Sequence, residues 1–108
     1  GTAPNTHCAL TFNTQARKQI TQEIPIMNPS DKEWIIKALF TQQGHEFEGV
    51  KEFSAKRRQA NGTPSMSLYQ LSFKPDWCCD IRGHLQLVNT GTGETYEYDL
   101  RGIVEEPQ

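Results

Sequence analysis

No run of about 18 apolar residues occurs in the 108-residue chain, so nothing in it reads as a membrane-spanning helix. A charged start followed by an apolar stretch is also missing, so no secretory leader is visible. There is no basic excess. Eleven Lys+Arg against 13 Asp+Glu give a net charge of −2 and a pI near 5.9, whereas a nucleic-acid binder ordinarily shows a basic stripe and a high pI. Cysteine is scarce and odd in number: Cys8, Cys78 and Cys79. Small secreted domains carry even sets at framework spacing. Neighbours in a strand point to opposite faces, so Cys78 and Cys79 cannot enter one zinc tetrahedron. They read as one buried and one exposed thiol in a reducing compartment. A vicinal redox pair is the alternative, without C-x-x-C or helix support. Internal repeats, low-complexity tracts and linkers are absent.

The usual chemical constellations are missing as well. His7, His45 and His84 lie in unrelated settings and no Ser-His-Asp arrangement has local support. His84 falls on the polar parity of its segment and reads as solvated. Asp76 and Asp80 bracket Trp77-Cys78-Cys79, which is turn chemistry and offers too few oxygens for calcium. Gly91-x-Gly93 has no helix after it to hold a phosphate. Met27 and Met66 read as core fillers rather than metal ligands. The chain is therefore expected to be non-catalytic, with no cofactor and no metal.

What remains is a lean-cored domain: 35% hydrophobic, 22% charged, mean hydropathy −0.67. At this length roughly 60–70% of the unfolded surface can be hidden. The chain opens Gly1-Thr2 without Met and ends Glu106-Pro107-Gln108, and is read as a piece of a longer protein. Residues 1–7 are expected to be a tail or cloning remnant, 8–106 one domain, and 107–108 a tail. Charge is uneven. Residues 1–60 hold 8 basic and 6 acidic side chains (+2) and residues 61–108 hold 3 and 7 (−4).

Two-residue alternation between Pro and Gly punctuation marks the strands. Leu85 and Leu87 alternate with His84 and Gln86. Asn89-Thr90-Gly91-Thr92-Gly93-Glu94 supplies a turn. Tyr96, Tyr98 and Leu100 then alternate with Glu97, Asp99 and Arg101, completing a half-buried antiparallel hairpin. Tyr69, Leu71 and Phe73 share a face, and Pro75 ends that strand. Ile20, Ile24 and Ile26 share a parity, and Pro25 between two of them places the strand at an edge or a bulge. Asn28-Pro29-Ser30-Asp31 is a turn. Phe47, Val50 and Phe53 are anchors of an irregular loop or a short strand.

Residues 30–44 carry two competing patterns. Ser30-x-x-Glu33 is a capping box, Gly44 a helix stop, and Ile35, Ala38 and Leu39 fit a helical face. Trp34, Ile36, Ala38 and Phe40 also alternate, with Ile35, Lys37 and Leu39 opposite. If the first set faces inward, Ile35 and Leu39 form an outer apolar patch, either a docking site or a surface covered by neighbouring residues or the next domain. Lys56-Arg57-Arg58 is the one dense basic run, ordinarily a solvated loop and alternatively a docking patch for an acidic partner. Trp77 reads as a plug for one end of the fold rather than an exposed anchor.

The order of these motifs carries a resemblance. Ile24-Pro25-Ile26-Met27-Asn28 precedes a strand from Trp34. Tyr69-x-Leu71-x-Phe73-x-Pro75 and Gly83-x-Leu85-x-Leu87-x-Asn89 follow, then Thr92-Gly93-Glu94 leads to Tyr98-x-Leu100-x-Gly102. Over roughly residues 8–106 this resembles the ASH/PapD-like immunoglobulin domains, related to major sperm protein domains and repeated in hydin and in large cilia- and flagella-associated proteins. The resemblance implies an all-β antiparallel sandwich of about seven strands, and therefore a strand rather than a helix over Trp34–Thr41. It implies a structural interaction module of a larger ciliary or cytoskeletal protein, placing protein partners on an axonemal microtubule assembly, with no nucleic acid and no membrane insertion. Lys56, Arg57, Arg58, Ile35 and Leu39 are the candidate partner contacts. The alternative is a peptide-binding adaptor at a membrane contact, like major sperm protein domains. Lys18, Lys37 and Lys51 are too scattered to form the basic groove of that class. A secreted pilus chaperone like PapD is disfavoured by the free thiols and the absent leader.

Overall fold

The computed structural model describes residues 6–41, 46–76 and 80–105. Eight strands follow one another: β1 Thr6–Gln15, β2 Ile20–Asn28, β3 Trp34–Thr41, β4 Phe47–Glu48, β5 Glu52–Ala55, β6 Ser65–Phe73, β7 Asp80–Asn89 and β8 Thr95–Glu105. They form a five-stranded sheet, β1-β8-β7-β3-β5, and a three-stranded sheet, β2-β6-β4. All pairings are antiparallel except β1 with β8, which run parallel from Thr6 opposite Tyr96 to Gln15 opposite Glu105. The first strand thus begins at Thr6, inside the stretch expected to be a tail.

The capping-box residues Ser30 and Glu33 do not start a helix. Asn28 Oδ1 accepts the Ser30 backbone N–H at 2.9 Å, and Ser30 Oγ donates to the Lys32 carbonyl at 2.9 Å. Side chains able to cap a helix close a turn instead. The chain then leaves it extended, with Ile36 and Ala38 buried, Trp34 and Phe40 half-buried, and Ile35, Lys37 and Leu39 exposed. β3 lies between β7 and β5, as a central strand of a sandwich must. Gly44 lies outside the described residues.

The core fills the gap between the sheets. Tyr69, Leu71 and Phe73 of β6 meet Ile36 and Ala38 of β3, Leu85 and Leu87 of β7 and Leu100 of β8. At one end Phe12, Phe47 and Phe73 cluster with ring centroids 4.7–5.9 Å apart. Gly102 lies flat against them. A Cβ there would overlap the Phe73 ring, so the strand carries glycine where another ring needs its space. Phe47 and Phe53 are inward anchors on β4 and β5, while Val50 between them is exposed.

Pro25 sits in an edge strand without a bulge. β2 pairs with β6 in unbroken register, Pro25 opposite Leu68, and has an open side where a missing N–H costs no ladder bond. The β7–β8 turn uses Gly93 at φ 83° and is held by Asn89, whose Oδ1 accepts the N–H of Gly91 and of Thr92. Pro75 is fully buried two residues past β6, its carbonyl accepting the Arg17 N–H at 2.7 Å. Arg17 holds φ 69° in the β1–β2 turn.

Candidate interaction surfaces

The basic run stands on a rigid corner. Asn28 is fully buried at the end of β2, and its Nδ2 donates to the carbonyls of Lys32 (2.8 Å) and Ala55 (3.1 Å). The Arg58 N–H donates to the Ser30 carbonyl at 2.8 Å, and Ser65 Oγ to the Arg57 carbonyl at 2.6 Å. These bonds tie the β2–β3 turn, the end of β5 and the start of β6 together. Lys56, Arg57 and Arg58 project from that frame, exposed. With Lys32, Asp31 and Glu33 they line an open depression of about 790 Å³. Four cations against two carboxylates leave the corner at +2 in a chain of net charge −2. Among the described residues none of the three in the run is ion-paired.

Ile35 and Leu39 lie on β3, next to the edge strand β5. They point outward from β3 on either side of Lys37, 36% and 47% exposed. The structure does not join them to the basic run. The run leaves the end of β5, the edge strand beside β3, and crosses to β6, whereas Ile35 and Leu39 sit on the outer face of β3.

Further along that outer face, charges knit β1, β7 and β8. His7 Nε2 lies 2.7 Å from Asp99 Oδ2, His84 Nδ1 3.1 Å from Asp99 Oδ1, and His84 Nε2 3.3 Å from Glu97 Oε1. His84 is therefore not simply solvated. It faces outward, but its side chain is only 20% exposed between two carboxylates. Nor are the settings of His7 and His84 unrelated, since their rings stand edge-to-face at 6.4 Å. Parallel pairing of β1 with β8 creates this meeting across 92 residues of sequence. The His84 and His7 hydrogen bonds hold the Asp99 carboxyl below the usual carboxylate range. Arg101 does the same for Asp80, reaching its oxygens at 2.8 and 3.3 Å. Cys8 is an exposed free thiol on β1, while His45, Trp77, Cys78 and Cys79 lie outside the described residues.

One surface escaped the sequence reading. Met27 and Met66 are not core fillers: they are 49% and 60% exposed and directly opposite one another on the outer face of the three-stranded sheet. Pro25 and Leu68 are the next pair, and Val50 is exposed nearby, lining the same groove as Leu68. The signal was available. The parity that points Ile24 and Ile26 inward points Pro25 and Met27 outward, and that of Tyr69 and Leu71 does the same for Met66 and Leu68. Further along, Thr21–Ser72 and Glu23–Gln70 side-chain contacts make that face polar.

Two stacked sheets with this strand order define an immunoglobulin-like sandwich, and the chain has the ASH/PapD-like fold. Its structure is similar to the ASH/PapD-like domain of human CEP192 (PapD-like domain 7), with a TM-score of 0.70 at 10% identity over 93% of this chain and 82% of that one. It is also similar to WR4, a C. elegans MSP family member, with a TM-score of 0.50 at 11% identity over 88% and 92% of the two chains. In sequence, 96 residues are 31% identical to the human "Cilia- and flagella-associated protein 47"; they cover 89% of this chain and 3% of that protein. The chain thus spans a small part of the length of its curated relative. No family model matches it.

Proposed function

We propose that the chain is a non-catalytic protein-interaction module, a single folded unit that includes β1 from Thr6, within a larger cytoplasmic ciliary or cytoskeletal protein. It places partners on an axonemal microtubule assembly. The sequence similarity to a protein named for cilia and flagella supports the setting. The observation that carries the contact is the corner formed by Lys56, Arg57 and Arg58, exposed, without an ion pair among the described residues, and held by the buried Asn28–Ala55 hydrogen bond and the bond from Ser65 to the Arg57 carbonyl. Cations fixed on a rigid frame attract an acidic surface such as tubulin tails over roughly a Debye length, about 8 Å at physiological salt. They set encounter rate and orientation more than final affinity. Ile35 and Leu39 offer a separate apolar contact to a neighbouring domain.

Reversing Lys56, Arg57 and Arg58 to Glu tests this. The wild-type chain should co-sediment with microtubules at low salt and lose binding as salt rises. The triple variant should bind several-fold more weakly while keeping its thermal midpoint. Co-sedimentation that the reversal leaves unchanged removes the corner's role.

A further inference from the structure

β6 is the middle strand of its sheet over only part of its length. β4 pairs with it at Ser72 and Phe73 alone, opposite Glu48 and Phe47. The chain at Gly49 still shields Gln70, since a Cβ there would lie 3.0 Å from the Gln70 carbonyl oxygen. From Ser65 to Tyr69, β2 is the single paired neighbour among the described residues. In an antiparallel pair, alternate residues turn their N–H and C=O groups away from the partner, so this stretch offers an open ladder.

A groove of about 360 Å³ runs beside that ladder, between β6 and the edge strand β5, and includes Val50, Phe53, Ser54, Leu68 and Tyr69 in its lining. Phe53 and Tyr69 stack with centroids 5.4 Å apart. The Tyr69 hydroxyl donates to the Val50 carbonyl at 2.7 Å and fixes the segment bearing Val50. Leu68 and Val50 remain 50% and 59% exposed. At the Ser65 end stand Lys56, Arg57 and Arg58, and at the Ser72 end stands the carboxylate of Glu48.

We propose that the Ser65–Tyr69 edge of β6 is a strand-addition site for an extended, acidic segment of a partner protein. The open ladder supplies main-chain hydrogen bonds, and the groove takes apolar side chains at alternate positions. The basic corner selects carboxylates at the end of the segment lying beside Ser65. This rests on the interaction-module reading and narrows it to one edge and one partner chemistry.

The probe is a synthetic peptide of about eight residues, a usual strand length, with Val or Ile at alternate positions and three acidic residues at one end. Titrated into the isotope-labelled 108-residue chain, it should shift and protect amides of Ser65–Tyr69 and shift Arg57 and Arg58. N-methylating alternate peptide amides should weaken binding at least about tenfold, the loss expected for two or three net hydrogen bonds. Lysine in place of the peptide acids should weaken it too. So should Leu68→Lys, a change at an exposed position. Four results overturn the proposal. They are no shifts at millimolar peptide, shifts confined to β3, β7 and β8, equal affinity for the N-methylated peptide, or the same amides shifting when protein concentration alone rises, which marks a second copy on the edge. Microtubule co-sedimentation of the charge-reversed chain reads the broader function separately. A loss there without peptide binding here keeps the interaction module and removes the strand site.

Discussion

The five-stranded sheet and the three-stranded sheet bury the same core but finish their outer sides differently. On the larger sheet, β8 is paired on both sides along almost its whole length and β7 on both sides from His84 to Val88, and the outer face is laced by His7, His84, Asp99 and Glu97 and by Asp80 with Arg101. On the smaller sheet, β4 is two residues long and half of β6 has one neighbour, while Met27, Met66 and Leu68 stand uncovered beside unpaired cations. The contrast separates two uses of the same kind of strand. Side-chain pairs across a closed ladder spend the polar groups locally, whereas an unfinished ladder keeps them available to another chain.

Substitutions can break or sharpen that contrast. The largest effect is expected from Phe73→Ala. Phe73 is fully buried, touches the rings of Phe12 and Phe47, and lies against Gly102, so it joins both sheets. A loss of about 3–5 kcal/mol in urea unfolding is expected, in one transition seen alike by fluorescence and circular dichroism. Two separated transitions would mean that the sheets melt independently and that their comparison concerns two units. Next comes Asn28→Ala, which takes the Asn28 side chain from the Ala55 carbonyl and the Ser30 N–H and leaves the Lys32 carbonyl with the Ser30 hydroxyl alone. It should cost about 1–3 kcal/mol and speed hydrogen exchange at Arg58 and Ser30 more than along β7 and β8. Uniform acceleration would show that the corner is not a local frame.

The smallest change concerns the closed face. Asp80 and Asp99 titrate below their ordinary value in the folded chain. Their contribution is therefore full above the unfolded carboxylate value, about 3.9 for Asp, and fades as pH falls through the lowered values. The thermal midpoint should drop on acidification below about pH 4, and Asp80→Asn with Asp99→Asn should flatten that limb. An acid limb as steep in the double variant as in the parent would assign it to other carboxylates. Peptide binding at the β6 edge should be indifferent to both changes at neutral pH.

Alternation made the hairpin of β7 and β8 legible, because Leu85, Leu87, Tyr96, Tyr98 and Leu100 face inward and the residues between them are mostly polar. The same rule placed the inward faces of β2, β3 and β6. β1 was not legible. Its described inward apolar side chains include Leu10 and Phe12, and its partner β8 lies some 90 residues away in parallel register, which no local pattern announces. Met27 and Met66 were misjudged by residue type when parity pointed the other way. The helix signature at Ser30–Glu33 competed with the strand pattern because a capping side chain serves a turn equally well; the family resemblance favoured the strand, and the β7 and β5 neighbours of β3 bear it out. Among the candidate contact residues, the sequence showed which were basic or apolar. That the basic run shares a corner with an unfinished strand depended on Asn28, Ser30 and Ser65, whose partners lie in other elements.

The parallel pairing of β1 and β8 has a mechanical consequence. Its first and last registered residues are Thr6 and Glu105, at opposite ends of ten consecutive pairs. Tension applied through those two points pulls along the strands in opposite directions, so the ladder is sheared as a whole rather than unzipped from one end. Under such a load many weak bonds must yield together, so the pair resists a lengthwise pull better than peeling.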